Sequence, residues 1–164
     1  MNQLLAEPIF NSCGYLIESY EGFQEILLNS DIKPEFKLTL VVGSVEDQEL
    51  FKVCKLDASG LQVWFDEVEP MLTYEKAALF YLMEICGFDV EVALSKLEQV
   101  DVRKGTLLEA ATEIFDEYYL AEIPEAVQGY VNYEQFAYDG RIGGDLYEFT
   151  FANESYTCTN AHSH

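Results

Sequence analysis

The sequence predicts an α+β fold, with a helical middle between two ends that carry short antiparallel sheets. Three observations point there. FKLTLVV near the start, and DLYEFTF followed by SYTCT near the end, have the β-branched and aromatic make-up of strands. Between them, TYEKAALFYLMEIC and FDVEVALSKLEQ are rich in helix formers with apolar residues at helical spacing. A 49% hydrophobic composition with 11 Tyr and 11 Phe supplies a packed core, which argues against disorder despite the charge.

Three small pieces are expected: residues 1–55, 56–99 and 100–164. In the first, CGYLIESY suits a strand, and EGFQEILLN suits a helix with Phe23, Ile26 and Leu27 inward. Pro34 punctuates, FKLTLVV follows up to Gly43, and Ser44 with Asp47 marks the start of a helix over VEDQELFKVCK. In the second piece, LQVWF is expected as a short strand or extended entry, and Pro70 ends the run after it. Thr73 is expected to cap the helix TYEKAALFYLMEIC, which Gly87 ends. FDVEVALSKLEQ gives a further helix with Val92 and Leu94 or Leu97 inward. In the third, VDVRKG is a short strand, and Thr106 with Glu109 forms a capping box. The helix behind that box should carry Leu107, Ala111, Ile114 and Tyr118 on its inner face. Pro124 suits the first turn of the short helix PEAVQGYV. Asp139, Gly140, Gly143 and Gly144 indicate turns in NYEQFAYDGRIGGD. DLYEFTF then pairs with SYTCT across Asn153 and Glu154.

Charge is the outlier. Thirty acids face nine bases, a formal net charge of −21. After Lys104 the chain holds eleven acids and one base, Arg141. Such a field repels nucleic acid and anionic membranes and attracts basic surfaces. EIFDEYYLAEIPE, residues 113–125, interleaves acids with aromatics and has no base. It has the pattern of a nucleic-acid surface with the sign reversed. On the helix after Thr106, Glu109, Glu113, Asp116 and Glu117 fall at offsets zero, four, seven and eight, on one face. No Lys or Arg is interspersed, although like charges at this spacing cost roughly 0.2–0.5 kcal/mol per pair. A solvated face is the ordinary explanation; the single sign suggests a use. At one charge per roughly 1.7 Å of duplex, 21 charges correspond to about 36 Å, or about ten base pairs.

Catalytic chemistry is sparse. The histidines, His162 and His164, stand in a tail expected to fray, so Ser-His and Cys-His systems have little support. There is no phosphate-binding glycine loop, and the run from Asp57 lacks the glycine and glutamate of a calcium loop. Cys13, Cys54, Cys86 and Cys158 form no CxxC pair. No apolar stretch approaches 18 residues, and no basic region precedes an apolar run. The expectation is a non-catalytic cytoplasmic protein with reduced thiols and no cofactor or metal.

IPEAVQGYVNYEQFAYDGRIGGDLYEF, residues 123–149, resembles the C-terminal part of the ArdA antirestriction proteins. Ile123, Pro124, Tyr130, Tyr133, Glu134, Phe136 and Asp145 carry the resemblance. Asn132 stands where the family tends to have Asp, and Tyr138-Asp139-Gly140-Arg141 where Gly-Arg-Asp is common. The resemblance implies an elongated, homodimeric DNA mimic that occupies the DNA groove of type I restriction–modification enzymes in a bacterial host. It implies no direct contact with nucleic acid or membrane. The acids expected to meet the partner are Glu109, Glu113, Asp116, Glu117, Glu122 and Glu125, then Glu134 and Asp139, with Asp145 and Glu148 beside them. The alternative is an acidic adaptor or inhibitor of another basic protein, for example a CRISPR effector.

Overall fold

The computed structural model describes residues 1–9, 13–29 and 35–164; Pro34 lies outside them. The fold is mixed α+β, with a helical middle and a three-stranded antiparallel sheet toward each end. Contacts divide the chain into two compact units, Met1–Lys76 and Ala77–His164. This boundary falls inside the piece assigned to residues 56–99.

In the first unit, β1 (Gln3–Pro8) lies between β2 (Tyr15–Ile17) and β3 (Phe36–Val42). Leu4 and Ala6 of β1 and Ile17 of β2 are buried, the alternation of a sheet with one covered face. The central strand β1 escapes the sequence reading because its apolar pair Leu4-Leu5 blurs the alternation. Helix α1 (Tyr20–Leu28) is capped by Ser19 and buries Phe23, whose ring meets Phe36 edge-on at 5.4 Å. Helix α2 (Val45–Cys54) starts as expected, with Ser44 accepting from the Asp47 amide. LQVWF is not extended. It forms α3 (Leu61–Val63), which continues as a wider π turn over Trp64–Val68. The Asp57 carboxylate starts this segment by accepting from the amides of Ser59 and Gly60. Leu61, Trp64 and Val68 are then fully buried, so helical burial overrides the local β preference. Lys76 makes a buried ion pair with Asp47 of α2 at 2.6 Å and also donates to the Glu69 carbonyl at 2.9 Å.

Helix α4 (Thr73–Phe80) continues as a π turn over Tyr81–Ile85. Thr73 is its first residue rather than its cap. The Leu72 carbonyl accepts from Lys76, while the Leu72 amide donates to Glu75. Gly87 ends the segment at φ +78, with Phe88 donating back to the Leu82 carbonyl.

In the second unit, Asp89 caps α5 (Val90–Lys96), which buries Ala93 and leaves Val92 exposed, contrary to expectation. The sheet runs β4 (Val102–Lys104), β6 (Glu154–Cys158), β5 (Tyr147–Phe151). The β5–β6 turn is Ala152-Asn153, one residue earlier than expected, with both φ values positive (52° and 64°). That is the geometry of a hairpin turn matched to strand twist. Phe149 and Phe151 of β5 pack against Phe80 and Tyr156.

Helix α6 (Leu107–Tyr118) buries Ala110 and Ala111 and leaves Tyr118 59% exposed, so Tyr118 is not an inner residue. Helix α7 (Glu125–Gln128) follows, with Pro124 in the cap position just before its first turn. NYEQFAYDGRIGGD is a helix rather than a run of turns: α8 spans Tyr133–Gly143, is capped by Asn132, and ends at Gly144 with φ 83. Ala137 packs with Ala111 and Leu146, flanked by Leu107, Ile114 and Phe136. Gly140 serves this packing, since a Cβ there would lie 2.8 Å from the Leu146 side chain. The C-terminal tail is tied down, with the Ala161 amide on the Asp145 carbonyl and His162 3.0 Å from the Asp145 carboxylate.

Two stability predictions follow from this packing. Asp47→Ala strands the Lys76 charge and should cost about 3 kcal/mol, whereas Asp47→Leu with Lys76→Met should stay within about 1 kcal/mol of wild type. Urea unfolding read from the single tryptophan, Trp64, measures both. Gly140→Ala gains helix propensity but meets Leu146 and should lose roughly 1–3 kcal/mol in a thermal melt.

Candidate interaction surface

The surface is built on α6, and its entry is fixed from four sides. β4 ends at Lys104, and Gly105 reverses the chain at φ +134. The Gly105 amide and carbonyl are held by Ser155 and Thr157 of β6. Thr106 caps the helix through a full capping box with Glu109. The Glu148 carboxylate of β5 takes the next free amide, that of Leu107, at 2.9 Å. Two of the helix's first amides are thus satisfied by carboxylates, which also face its positive end.

All ten expected acids are exposed, yet seven have a partner within the unit. Glu109 accepts from the amide and hydroxyl of Thr106, at 2.8 and 2.9 Å. Glu113 and Glu117 lie 3.7 and 3.1 Å from the guanidinium of Arg103, which also stands 4.0 Å from Asp101. Asp116 accepts from the Tyr133 hydroxyl at 2.6 Å. Asp139 accepts from Gln135, Asp145 pairs with His162, and Glu148 holds the Leu107 amide. Glu122, Glu125 and Glu134 make no ion pair among the described residues.

The single-sign face is therefore partly compensated. No base lies on α6 itself, but β4 delivers Arg103 alongside it. The signal was available: a strand ending at Lys104 and reversing at Gly105 lays its middle residue beside the following helix. Tyr133, named from the sequence only for the resemblance, is the second tether that reading did not assign. Its hydroxyl joins α8 to α6, while its ring and that of Phe136 meet Phe115 edge-on at 5.4 and 5.2 Å. Proton affinities follow these contacts. The Thr106 amide, then its hydroxyl, holds the Glu109 carboxyl below the ordinary value. Burial opposes charge on Arg103, but the hydrogen bond to Glu117 and the nearby carboxylates outweigh it and raise its pKa. Hydrogen bonding to Asp116 raises Tyr133.

The unit Ala77–His164 holds sixteen acids against four bases, a formal charge of −12. Lys104 lies 3.4 Å from Glu154, and Lys96 sits over the Phe88 ring at 5.2 Å. Arg141, exposed in the last turn of α8, complements the negative end of that helix. Rings stand out between the acids: Tyr118, Tyr130 and Tyr138 are 59%, 86% and 57% exposed. Cys13, Cys54, Cys86 and Cys158 form no disulfide among the described residues, and burial pushes the Cys54 thiol up to about 12. Among the described residues, no helix is long and apolar enough to cross a membrane. No protein-family model, curated protein or solved structure matches the chain.

The capping box makes a signed pH prediction. Because the folded Glu109 pKa is depressed, its contribution is present above the unfolded glutamate value and is lost as pH falls through the folded one. Carboxyl NMR should show Glu109 titrating below its ordinary value. Thr106→Ala should return it toward that value, and Glu109→Gln should flatten this part of the stability–pH curve.

Proposed function

We propose that this protein is a DNA-mimic antirestriction protein. It acts as a homodimer in the cytoplasm of a bacterial host and occupies the DNA-binding groove of a defence enzyme, a type I restriction–modification system first among them. The observation that carries this reading is the charge of the unit Ala77–His164, with sixteen acids against four bases and all ten candidate carboxylates exposed. Helix α6 spaces Glu109, Glu113 and Glu117 one turn apart, about 5–6 Å, the order of the separation between neighbouring phosphates. Two of the unit's bases are engaged by the protein's own carboxylates. The resemblance of residues 123–149 to ArdA proteins points the same way.

A second reading, an acidic adaptor for a different basic protein, is favoured by the exposed rings of Tyr118, Tyr130 and Tyr138. Aromatic side chains are enriched at protein interfaces and have no counterpart in a phosphate backbone.

The test is to titrate the protein into a type I restriction–modification enzyme with cognate duplex at 50 and 200 mM salt. The mimic reading expects inhibition that added duplex relieves and that weakens by about tenfold or more at the higher salt. Inhibition or binding that duplex does not displace moves the assignment to the adaptor. Reversing Glu113 and Glu117 would set new cations against Arg103, so the cleaner probe of the surface is the triple variant Glu122→Lys, Glu125→Lys, Glu134→Lys. It should stay folded, losing roughly 0.3–1 kcal/mol for each of Glu125 and Glu134, which stand in first helical turns, and lose at least about tenfold in inhibition.

A further inference from the structure

A cavity of about 390 Å³ opens beside α8 and the C-terminal tail. Its wall is apolar: Ile114 and the rings of Tyr119 and Phe136, which stand 6.0 Å apart at 68°. Besides the Tyr119 phenol, its ionisable lining is Asp139, Asp145 and His162. Each aspartate is held through one oxygen. Gln135 Nε2 donates to Asp139 Oδ1 at 2.8 Å, and His162 Nδ1 lies 3.0 Å from Asp145 Oδ1. The Oδ2 atom of each carboxylate is left to accept from an occupant.

We infer that this cavity is a receptor for a guanidinium group, presented as an arginine side chain by a basic protein partner. Two carboxylates in a unit of formal charge −12 call for a cation and repel anions. A bare metal ion fits poorly: although Asp139, Asp145 and His162 share the lining, no three His, Cys, Asp or Glu side chains among the described residues are placed to hold one ion. Calcium and zinc each take several such ligands. An ammonium is a compact, strongly hydrated charge that can sit over a ring, as Lys96 does over Phe88, but cannot lie flat against it or present a planar fork to two acceptors. A guanidinium is planar and weakly hydrated, stacks on rings, and forks between acceptors. The cavity offers both surfaces at once. The inference rests on the proposed function only for the origin of the arginine, since the chemistry of the cavity is testable without a partner.

Nα-acetyl-L-arginine amide would be titrated into the isotopically labelled full chain at low salt and followed by NMR. Saturable shifts are expected at Tyr119, Phe136, Asp139, Asp145 and His162, with half-saturation of about 1–10 mM. The lysine analogue should bind at least about threefold more weakly, and the citrulline analogue, which is neutral but nearly isosteric, should give no saturable shift. Asp139→Asn with Asp145→Asn should weaken arginine binding at least about tenfold. No saturable shift, shifts confined to other residues, or equal responses to arginine and citrulline overturn the inference. Should the double variant not fold, the comparison of arginine with citrulline on the wild-type chain still decides it. Failure to inhibit a restriction enzyme is a separate result and leaves this titration readable.

Discussion

Nine cations among thirty carboxylates is the constraint under which the rest of the structure is built. Where those cations stand decides which acids can come close together. Lys76 is buried against Asp47 and a backbone carbonyl, so its charge and that of its partner depend on each other. Arg103 carries the largest local load, facing Asp101, Glu113 and Glu117 from the middle of a three-residue strand. Each of its contacts is partly exposed and weak alone. Together they tie β4 to α6, and without them two glutamates a helical turn apart would face each other uncompensated.

A further set of acids is accommodated by backbone dipoles. Acidic residues occupy the first turn of α1, α2, α4, α5, α6, α7 and α8. A carboxylate near a helix N-terminus gains roughly 0.3–1 kcal/mol, comparable to or larger than the repulsion between like charges at i,i+4. An acidic composition is therefore compatible with short helices where an acid stands in the first turn. The uncompensated-repulsion argument for α6 is correspondingly narrower than its sequence suggests. Glu109 is a cap, and Glu113 and Glu117 share Arg103. Of the ten candidate acids, Glu122, Glu125 and Glu134 have no such partner among the described residues, and they lie in the segments after α6.

Much of this was legible because capping is local. Ser44, Thr106 and Gly87 each act within a few residues, and all three behave as the sequence indicates. Reading failed where long-range packing overrules local preference. The glycines and aspartate of residues 139–144 read as turns, but Asn132 caps a helix there and Ala137 seats it on Ala111 and Leu146. LQVWF has strand-like residues, yet three of its neighbourhood's apolar side chains, Leu61, Trp64 and Val68, need one buried face. In the candidate surface, the acids were visible in the sequence. Their tethers to Arg103, Tyr133 and Gln135 depend on elements meeting in space.

Those tethers set how the surface can act. A free glutamate gives up rotamer freedom when a partner orders it, whereas a carboxylate already held through one oxygen has less to lose. Charge count alone thus understates what α6 and α8 can offer a basic groove. The unit's −12 corresponds to roughly 20 Å of duplex, about six base pairs, at one charge per 1.7 Å. With a screening length of about 8 Å at physiological salt, carboxylates along such a span act mainly through near neighbours rather than as one distant field. On the proposed reading, recognition turns on local matches: a partner cation would meet a particular carboxylate with a ring beside it. Phosphates on DNA present no rings, so Tyr118, Tyr130 and Tyr138 are where this surface departs from the polymer it would imitate.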